Sequence, residues 1–342
     1  MKQYDVTIGI PIYNSVDCIQ ISLMSTLSQS YPSIEFLLVD DGCCDGTFDV
    51  VNQIIHNHHR ESDVHIITHQ NNLGVSASRN QIIDEALGEY LYFMDSDDTI
   101  TENAIELLMQ NARRYDAEVV FGSYEKIETT GYKTVYQYPS LHLLKKDELA
   151  CFAYRKFAGI QASSCNYLVK IEILRKNHLR FIDVSYWEDF VFTFNFVAFI
   201  SRAILLSDIT YYYRCRDYSL SNYQQRNNIS KDEVIQNVKA IDYLKGTSPL
   251  FVNKMYFPNR CYNIVLADFY IACNILRRRK DISPYVNNSE IKELMVHPAT
   301  WLQILNFAQL RFSNVIFYII GKLPSMFCVA AIWLMGKCKK LI

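Results

Sequence analysis

The sequence predicts an α/β protein with a doubly wound, mostly parallel sheet and a helical C-terminal extension. Two apolar runs, residues 34–39 and 90–94, are typical of strands that are buried on both faces. Segments with helical spacing of apolar residues alternate with such runs, which favours βαβ crossovers. Acidic residues follow both runs directly, at 40–41 and 95–98. Because ligands of such sheets bind outside the carboxyl ends of the strands, we expect a site at that edge.

The chain has 342 residues, enough for two domains of roughly 150 residues each. We expect a catalytic domain over residues 1–225, with a nucleotide-binding half (1–122) and an acceptor-side half (123–225), and a helical region over 226–342. The net charge of −2 provides no general attraction for nucleic acid, so no such partner is expected. The ten cysteines include no CxxC pair and no signal peptide is evident, which favours a cytoplasmic protein without a zinc site or a disulfide framework.

The elements of the first half follow from the spacing of apolar residues. Asn14 or Ser15 is expected to cap the first helix, and Pro32 to stop it. Strands are predicted at residues 6–12, 34–39, 64–67, 90–94 and 118–121, with helices between them.

Three carboxylates, Asp95, Asp97 and Asp98, follow the strand at residues 90–94. Carboxylates this close repel one another unless a cation or strong donors lie between them. An Asp-x-Asp pair suits Mg²⁺ or Mn²⁺, with phosphate oxygens and water completing the shell. The alternative is a polar loop in which Asp98 or Thr99 caps the next helix.

Other strand ends carry groups that suit a nucleotide. Asp41 can accept a hydrogen bond from the imide of uracil or from a ribose hydroxyl, and the ring of Tyr13 can pack on the base. Arg79 is a fork suited to phosphate. Alternatively, Asp41-Gly42 is only a turn and Arg79 only pairs with a nearby acid. The absence of GxGxxG and GxxxxGK[ST] counts against a dinucleotide oxidoreductase and a P-loop NTPase.

Four motifs, in order, resemble those of family 2 glycosyltransferases with the GT-A fold: VTIGIPIYN at residues 6–14, LVDDG at 38–42, NLGVSASRN at 72–80 and DSDD at 95–98. The likeness covers roughly residues 4 to 220 and implies an inverting transferase that uses a nucleotide-diphosphate sugar and a divalent metal, Mn²⁺ or Mg²⁺. One departure is Cys43-Cys44, where relatives place a small polar residue such as Ser.

The resemblance also implies roles for particular residues. Asp41 would bind the base, Asp95 would lie near the ribose and the donor, and Asp97 would ligate the metal, with Asp95 as a second ligand. The remaining residues expected to bind the donor are Pro11, Tyr13, Asn14, Arg79 and Arg214.

The sequence Trp187-Glu188-Asp189 predicts the catalytic base. By family pattern, Asp189 of the Glu188-Asp189 pair lies above the anomeric carbon of the donor and takes the proton of the acceptor hydroxyl. Inversion requires one such carboxylate, while the metal stabilises the departing diphosphate. Alternatively, both acids merely favour the first turn of a helix over residues 190–200.

Two features of the second half complete the prediction. Arg214, with Tyr213 before it and residues 219–221 after it, resembles a late family motif near the donor phosphates, although a tyrosine-rich edge strand can be purely structural. The tail over residues 312–342 is very apolar, but Lys322 and Pro324 divide it into halves shorter than the ~18 to 20 residues of a spanning helix.

Helices lying in a membrane interface fit this tail, with Lys337, Lys339 and Lys340 facing headgroups. The alternative is a helix pair packed on the catalytic domain. Residues 123–160 carry no functional signal.

These observations favour a glycosyltransferase that moves a sugar, UDP-linked, to a glycan or lipid-linked acceptor of the cell surface at the cytoplasmic face of the inner membrane. Two alternatives stay open. A nucleotidyltransferase would use a similar sheet and metal, but it would want a Gly-rich basic loop after the first strand. A non-catalytic membrane-surface binding protein could have kept the fold without the activity.

Overall fold

The computed structural model describes residues 3–56, 58–155, 159–184, 186–216 and 228–342. The chain forms two compact units. The first contains Met1–Leu149, Ser163–Asp183 and Phe192–Ser219, and the second contains Ala150–Ala162, Val184–Val191 and Leu220–Ile342. The functional boundary predicted at residue 225 stays a prediction.

The first unit is built on one mixed sheet, which has ten strands within the described residues. These are β1 (Tyr4–Ile12), β2 (Ile34–Asp40), β3 (Val64–Thr68), β4 (Gly88–Phe93), β5 (Thr99–Ile100), β6 (Val119–Ile127), β7 (Lys133–Tyr136), β8 (Leu141–Leu143), β9 (Tyr167–Lys170) and β10 (Ala203–Arg214). In the second unit, β11 (Ile229–Ser230) pairs with β12 (Ile282–Ser283).

The helices fall between the early strands and then dominate the C-terminal region. They are α1 (Ile19–Leu27), α2 (Thr47–His56), α3 (Val75–Glu85), α4 (Ala104–Tyr115), α5 (Glu148–Arg155), α6 (Ile171–Lys176), α7 (Glu188–Phe196), α8 (Lys231–Thr247), α9 (Phe257–Arg277), α10 (Asn288–Leu294), α11 (Trp301–Leu305), α12 (Arg311–Lys322) and α13 (Ser325–Cys338).

The strand order is β3-β2-β1-β4-β9-β6-β10-β5, with β7 on β6 and β8 on β10. Strands β1 to β4 are mutually parallel, and β9 is antiparallel to both β4 and β6. Since β10 is parallel to β6, six strands share one direction and their carboxyl ends meet at one edge. Every residue of β2 is buried, as its nearly continuous apolar run predicts. The predicted α/β sheet with a helical C-terminal region is confirmed.

Two glycines allow strands to approach closely. A Cβ on Gly88 would lie 2.4 Å from the backbone nitrogen of Thr7, and one on Gly122 would lie 1.9 Å from Oγ1 of Thr210. Neither position therefore accepts a side chain without a shift of the neighbouring strand.

Several local predictions are wrong. Helix α1 begins after Cys18 rather than after Asn14 or Ser15, because residues 14–18 first form a turn. Asn14 has a left-handed φ of 43°, which turns the chain before the helix starts. Thr99 belongs to β5, so neither it nor Asp98 caps α4, which begins after Asn103.

Two further elements differ in extent. The helix expected at residues 190–200 is α7 followed by a short 3₁₀ turn, Val197–Phe199. The apolar runs at residues 203–206 and 209–213 predict two strands, but they form one strand, β10, whose register against β6 is irregular between Leu205 and Tyr211. Polar residues inside a bulged strand resemble a break in the sequence, although the ladder continues.

The tail forms two helices, α12 and α13, as the break at Lys322 and Pro324 predicts. Both pack within the second unit, where Phe317 contacts the rings of Phe269 and Tyr262 on α9. Among the helices of the described ranges, none is long and apolar enough to cross a bilayer.

Candidate active site

The candidate site lies at the sheet edge where β1, β2 and β4 end. Pro11 is the penultimate residue of β1 and pairs with Val39 of β2. Tyr13 follows the strand and is exposed, so its ring is free to contact a ligand from solvent. The loops after these three strands carry most of the residues predicted to bind the donor.

The Cys43-Cys44 pair is accommodated in the loop after β2. Asn14 Oδ1 accepts a hydrogen bond from the backbone nitrogen of Cys44 at 3.0 Å, and the backbone nitrogen of Asn14 donates to Cys43 Sγ at 3.3 Å. Burial raises the pKa of the Cys43 thiol to about 12. The thiol therefore stays protonated. Its sulfur accepts the hydrogen bond that links the loop after β2 to the loop after β1, as a small polar side chain would.

Asp41 is buried and organises the loop that leads into α3. Its Oδ1 accepts from the backbone nitrogen of Leu73 at 2.8 Å, and its Oδ2 accepts from that of Gly74 at 2.9 Å. Its Oδ1 also lies 2.7 Å from His69 Nδ1, and the other ring nitrogen of His69 contacts Gln81. A carboxylate with these partners is fixed in place before any ligand arrives.

The pKa of His69 reflects two opposing effects. Burial lowers it, but the hydrogen bonds to Asp41 and Gln81 and the charge of Asp41 together raise it above its ordinary value. The imidazolium form is thus favoured where β2, β3 and α3 meet.

Arg79 on α3 is almost wholly buried and is directed at the acidic turn after β4. Its Nη2 donates to Asp95 Oδ1 at 2.9 Å, and its Cζ lies 5.3 Å from the centre of the Phe181 ring. The guanidinium is thereby held against Asp95, as in the alternative considered from the sequence. The Asp95 side chain remains 31% exposed, so a ligand can still reach its carboxylate.

Asp97 forms an ion pair with Arg216. The Asp97 side chain is 18% exposed, and Arg216 Nη1 also lies 3.3 Å from Cys18 Sγ. Burial and the charge of Asp95 raise the pKa of Asp97, and the Arg216 guanidinium opposes this rise. Asp95 and Asp97, the two carboxylates of the turn that solvent can reach, therefore pair with different arginines.

Asp98 has a different environment. It is buried, and its oxygens accept from the hydroxyl of Tyr211 at 2.6 Å and from the backbone nitrogen of Arg214 at 2.8 Å. Burial and the charges of Asp97 and Asp95 raise its pKa well above the usual range. These contacts tie the turn after β4 to β10.

Arg214, predicted to bind the donor, is exposed, and its Nε lies 3.4 Å from Thr99 Oγ1 rather than against an acid. Besides Arg79, the arginine that reaches the acidic turn is Arg216, which sequence reasoning missed. The sequence does hold one indication of Arg216, because it lies two residues after Arg214 and alternate residues of an extended segment lie on the same side. Residues 219–221 of the predicted late motif lie outside the described residues.

The Asp95-x-Asp97 pair fits a divalent cation through one or two carboxylates. Across the described ranges, no group of three or more His, Cys, Asp or Glu side chains is arranged to hold a metal ion. Mg²⁺ and related ions commonly take one or two protein carboxylates and complete their shell with phosphate and water oxygens. The carboxylates of Asp95 and Asp97 are therefore suited to a metal ion that binds together with a diphosphate.

Glu188 and Asp189, the predicted catalytic acids, occupy the first turn of α7 and belong to the second unit. Trp187, just before them, has a left-handed φ of 70°, and its ring lies 5.3 Å from that of Phe190. A bulky residue in this conformation costs on the order of 1–3 kcal/mol, and such strain clusters at functional sites.

Comparison with known proteins gives matches over most of the chain. The model of glycosyl transferase family 2 matches residues 7–176. The chain is 28% identical over 228 residues to the glycosyltransferase GlyG of Streptococcus pneumoniae, covering 63% of this chain and 72% of that protein. It is 27% identical over 274 residues to a poly(ribitol-phosphate) beta-glucosyltransferase of Bacillus spizizenii, covering 76% of this chain and 42% of that protein.

Solved structures share the fold. TarS of Staphylococcus aureus, in complex with UDP-GlcNAc, covers 93% of this chain and 90% of its own, with a TM-score of 0.57 and 17% identity. The mannosyltransferase PcManGT of Pyrobaculum calidifontis, in complex with GDP-Man and Mn²⁺, covers 98% of this chain and 89% of its own, with a TM-score of 0.51 and 15% identity. The predicted GT-A fold is confirmed.

The family match spans the four strand-end motifs, and the relatives reported above are named glycosyltransferases. Enzymatic glycosyl transfer is thereby favoured over nucleotidyl transfer and over a non-catalytic binding role. From its sequence motifs, its sheet and these relatives together, the chain belongs to glycosyl transferase family 2 and is a glycosyltransferase.

Proposed function

We propose that this glycosyltransferase moves a sugar from a UDP-sugar to a hydroxyl of a glycan or lipid-linked acceptor in bacterial cell-surface polysaccharide synthesis. The observation that carries the proposal is the Asp95-x-Asp97 pair, which lies at the sheet edge with each carboxylate matched to an arginine. Support for the donor class comes from TarS, which binds UDP-GlcNAc. Support for the acceptor class comes from the relative named for poly(ribitol-phosphate).

The donor is proposed to lie along the ends of β1, β2 and β4. The ring of Tyr13 packs on the base, and the fixed carboxylate of Asp41 accepts from the base or the ribose through the lone pair of Oδ2 that Gly74 does not use, since Leu73 and His69 occupy Oδ1. Pro11 and Asn14 shape the wall of this pocket. Arg79 sets the position of Asp95 against the donor.

Asp97 and Asp95 are proposed to hold the divalent cation, Mn²⁺ or Mg²⁺. The cation, when bound, neutralises charge that develops on the departing diphosphate. The mannosyltransferase neighbour contains Mn²⁺ together with its nucleotide sugar, which supports a metal at this position. Arg214 and Arg216 would supply further positive charge for the phosphates from the end of β10.

Asp189 is proposed as the general base, with Glu188 beside it. Its carboxylate takes the proton of the acceptor hydroxyl, and the oxygen forms a bond to the anomeric carbon as the bond to the UDP oxygen breaks. UDP leaves with the electron pair of that bond, and attack from the opposite face inverts the configuration. The strained backbone of Trp187 next to this pair supports a functional role for the turn.

A membrane surface is proposed as a further partner, at the cytoplasmic face. The buried stripe of α13 is formed by Cys328, Ile332 and Gly336, yet its outward side carries Met326, Phe327, Trp333 and Leu334, all exposed. A helix that is apolar on all sides is normally buried or in contact with lipid. The lysines Lys337, Lys339 and Lys340 at its end suit anionic headgroups.

Isothermal titration of UDP, with and without Mn²⁺, tests the site. We expect UDP binding that depends on Mn²⁺ in the wild type and its loss in Asp97→Ala. Asp189→Asn should keep this binding but lose roughly 100-fold or more of its turnover with a panel of UDP-sugars, as expected for a missing general base. Asp49→Asn removes an exposed acid of α2 and is the matched control.

The outcomes separate the parts of the proposal. Equal UDP binding with and without Mn²⁺ would remove the metal role of Asp97. Full turnover by Asp189→Asn would exclude that residue as the base. Absence of UDP binding to the wild type under both conditions would overturn the proposed donor.

A further inference from the structure

The hairpin formed by β6 and β7 extends the main sheet beyond the part needed to bury its core. Residues 119–121 of β6 pair with β9, whereas residues 124–127 lie between β7 on one side and β10 on the other. This second, three-stranded part ends at the carboxyl ends of β6 and β10. It thus belongs to the same edge of the sheet as the acidic turn.

Aromatic residues cross these three strands in register. Tyr211 of β10 pairs with Tyr124 of β6, which pairs with Tyr136 of β7. The rings of Tyr124 and Tyr136 are stacked, with centroids 4.8 Å apart and planes 11° from parallel. Directly paired residues face the same side of a sheet, so the tyrosines form one row.

Polar residues accompany this row. Two residues away from the tyrosine row, Tyr213 pairs with Lys126, which pairs with Thr134. Because alternate residues of a strand face the same side, these three residues face the same side of the sheet as the tyrosine row. A hydroxyl, an ammonium group and a phenol are therefore placed beside the stacked rings.

The row runs from the candidate active site to the surface. At its inner end, Tyr211 is buried and its hydroxyl donates to Asp98, in the same turn as the proposed metal ligands. At its outer end, Tyr136 is 47% exposed, so a ligand can reach its ring from solvent. The tyrosine row is thus joined by a direct hydrogen bond to the turn that carries the proposed metal ligands.

We propose that Tyr124, Tyr136, Tyr213, Lys126 and Thr134 form a subsite for a pyranose ring of the acceptor glycan. One face of a pyranose presents axial C–H groups, which pack on an aromatic ring, while its equatorial hydroxyls point to neighbouring donors and acceptors. A half-exposed tyrosine beside a lysine and a threonine offers both kinds of contact. The assignment to the acceptor rests on the proposed function, whereas sugar binding by this surface does not.

Saturation-transfer NMR tests the subsite with defined probes: the methyl β-glycosides of glucose, galactose and N-acetylglucosamine, added to the full-length protein with UDP and Mn²⁺. We expect transfer to the protons on one ring face of at least one glycoside. Tyr136→Ala should weaken binding roughly threefold to tenfold, as expected for one aromatic contact, and Tyr136→Phe should retain it.

Tyr132→Ala is the matched control, because Tyr132 lies in the turn of the same hairpin and is 69% exposed. It should bind the glycosides like the wild type. Equal binding by Tyr136→Ala and the wild type, an equal loss in Tyr132→Ala, or no transfer to any of the three glycosides would overturn the subsite. Failure of UDP binding in the wild type, with Tyr136-dependent glycoside binding intact, would instead overturn the proposed function alone.

Discussion

At the scale of single residues, the acidic turn after β4 is stable because each carboxylate has its own partner. Arg79 pairs with Asp95, Arg216 pairs with Asp97, and Asp98 accepts hydrogen bonds from β10. Three acids in four residues would otherwise repel strongly at a partly buried site. The three partners also divide the acids into two that a ligand can reach and one that supports the turn.

Arg216 has a consequence for metal binding. Its guanidinium occupies the carboxylate that we propose as the metal ligand, so it competes with a cation for Asp97. Arg216→Ala should therefore bind Mn²⁺ more tightly in the absence of nucleotide, by roughly threefold to tenfold. Titration of free Mn²⁺ by electron paramagnetic resonance measures this directly.

Arg214→Ala is the charge-matched control, since the Arg214 side chain reaches Thr99 and not the acids. Its Mn²⁺ affinity should change much less than that of Arg216→Ala. Weaker Mn²⁺ binding by Arg216→Ala, or equal changes in the two variants, would contradict the competition.

The sequence was informative for residues that form a cluster along the chain and silent for single residues whose partners are distant. Asp95, Asp97 and Asp98 stand out because acids rarely cluster after a buried strand. Arg216 and His69 do not stand out, because their partners are 119 and 28 positions away and meet them only in the folded sheet. The pairing of Arg79 with Asp95 was an alternative that the residue types alone did not decide.

At the scale of elements, strands were predictable because a parallel sheet buries continuous apolar runs, as in β2. The start of α1 was less predictable, because backbone geometry rather than a side-chain cap precedes it. Its N-cap is Cys18, which lies four residues after Asn14 and three after Ser15, beyond the left-handed turn at Asn14. The short strands β5, β7 and β8 depend on pairing with β10 and β6, which no local pattern indicates.

His69 joins three elements through one ring and predicts a pH-dependent stability. Because its pKa is raised in the folded protein, its contribution is fully present below the unfolded pKa, about 6.5, and is lost as the pH rises through the higher folded value. His69→Gln should therefore lower the free energy of unfolding at pH 6 by on the order of 1 kcal/mol, and by less at pH 8.5. Urea denaturation at both pH values measures the difference.

His65→Gln is the control, because His65 lies on β3, the strand that directly precedes His69. His65 also contacts an acid, with Nδ1 at 2.8 Å from Glu35, but its side chain is 42% exposed and water weakens the pair. The stability of this variant should follow the pH profile of the wild type more closely. Parallel profiles for the wild type and His69→Gln would show that the junction does not depend on the imidazolium form.

At the scale of the whole molecule, the second unit combines a well-buried core with an apolar exterior. Helix α9 is buried along most of its length and includes the fully buried Arg260, which donates to the Tyr154 hydroxyl at 2.8 Å. The tail helices pack on α9 through Phe317 and leave other large apolar side chains in water. Core formation alone therefore does not account for the apolar content of the tail, and this excess is the observation behind the proposed membrane contact.

Vesicle flotation of the full-length protein tests this assignment with phosphatidylcholine vesicles containing about 30% phosphatidylglycerol. We expect the wild type to float with these vesicles and the double variant Phe327→Ser, Trp333→Ser to lose most of this binding, because two large side chains no longer enter the interface. Both residues are exposed, so their replacement leaves the core of the second unit intact.

The control is the double variant Leu250→Ser, Met255→Ser, which removes two apolar side chains of the second unit that lie outside the tail and are more exposed than Phe327 and Trp333. It should float like the wild type if the tail helices form the contact. Equal losses in both double variants would mean that binding follows total apolar exposure rather than the tail. A wild-type protein that stays in solution would contradict membrane contact, and the apolar faces of α12 and α13 would then require a protein partner instead.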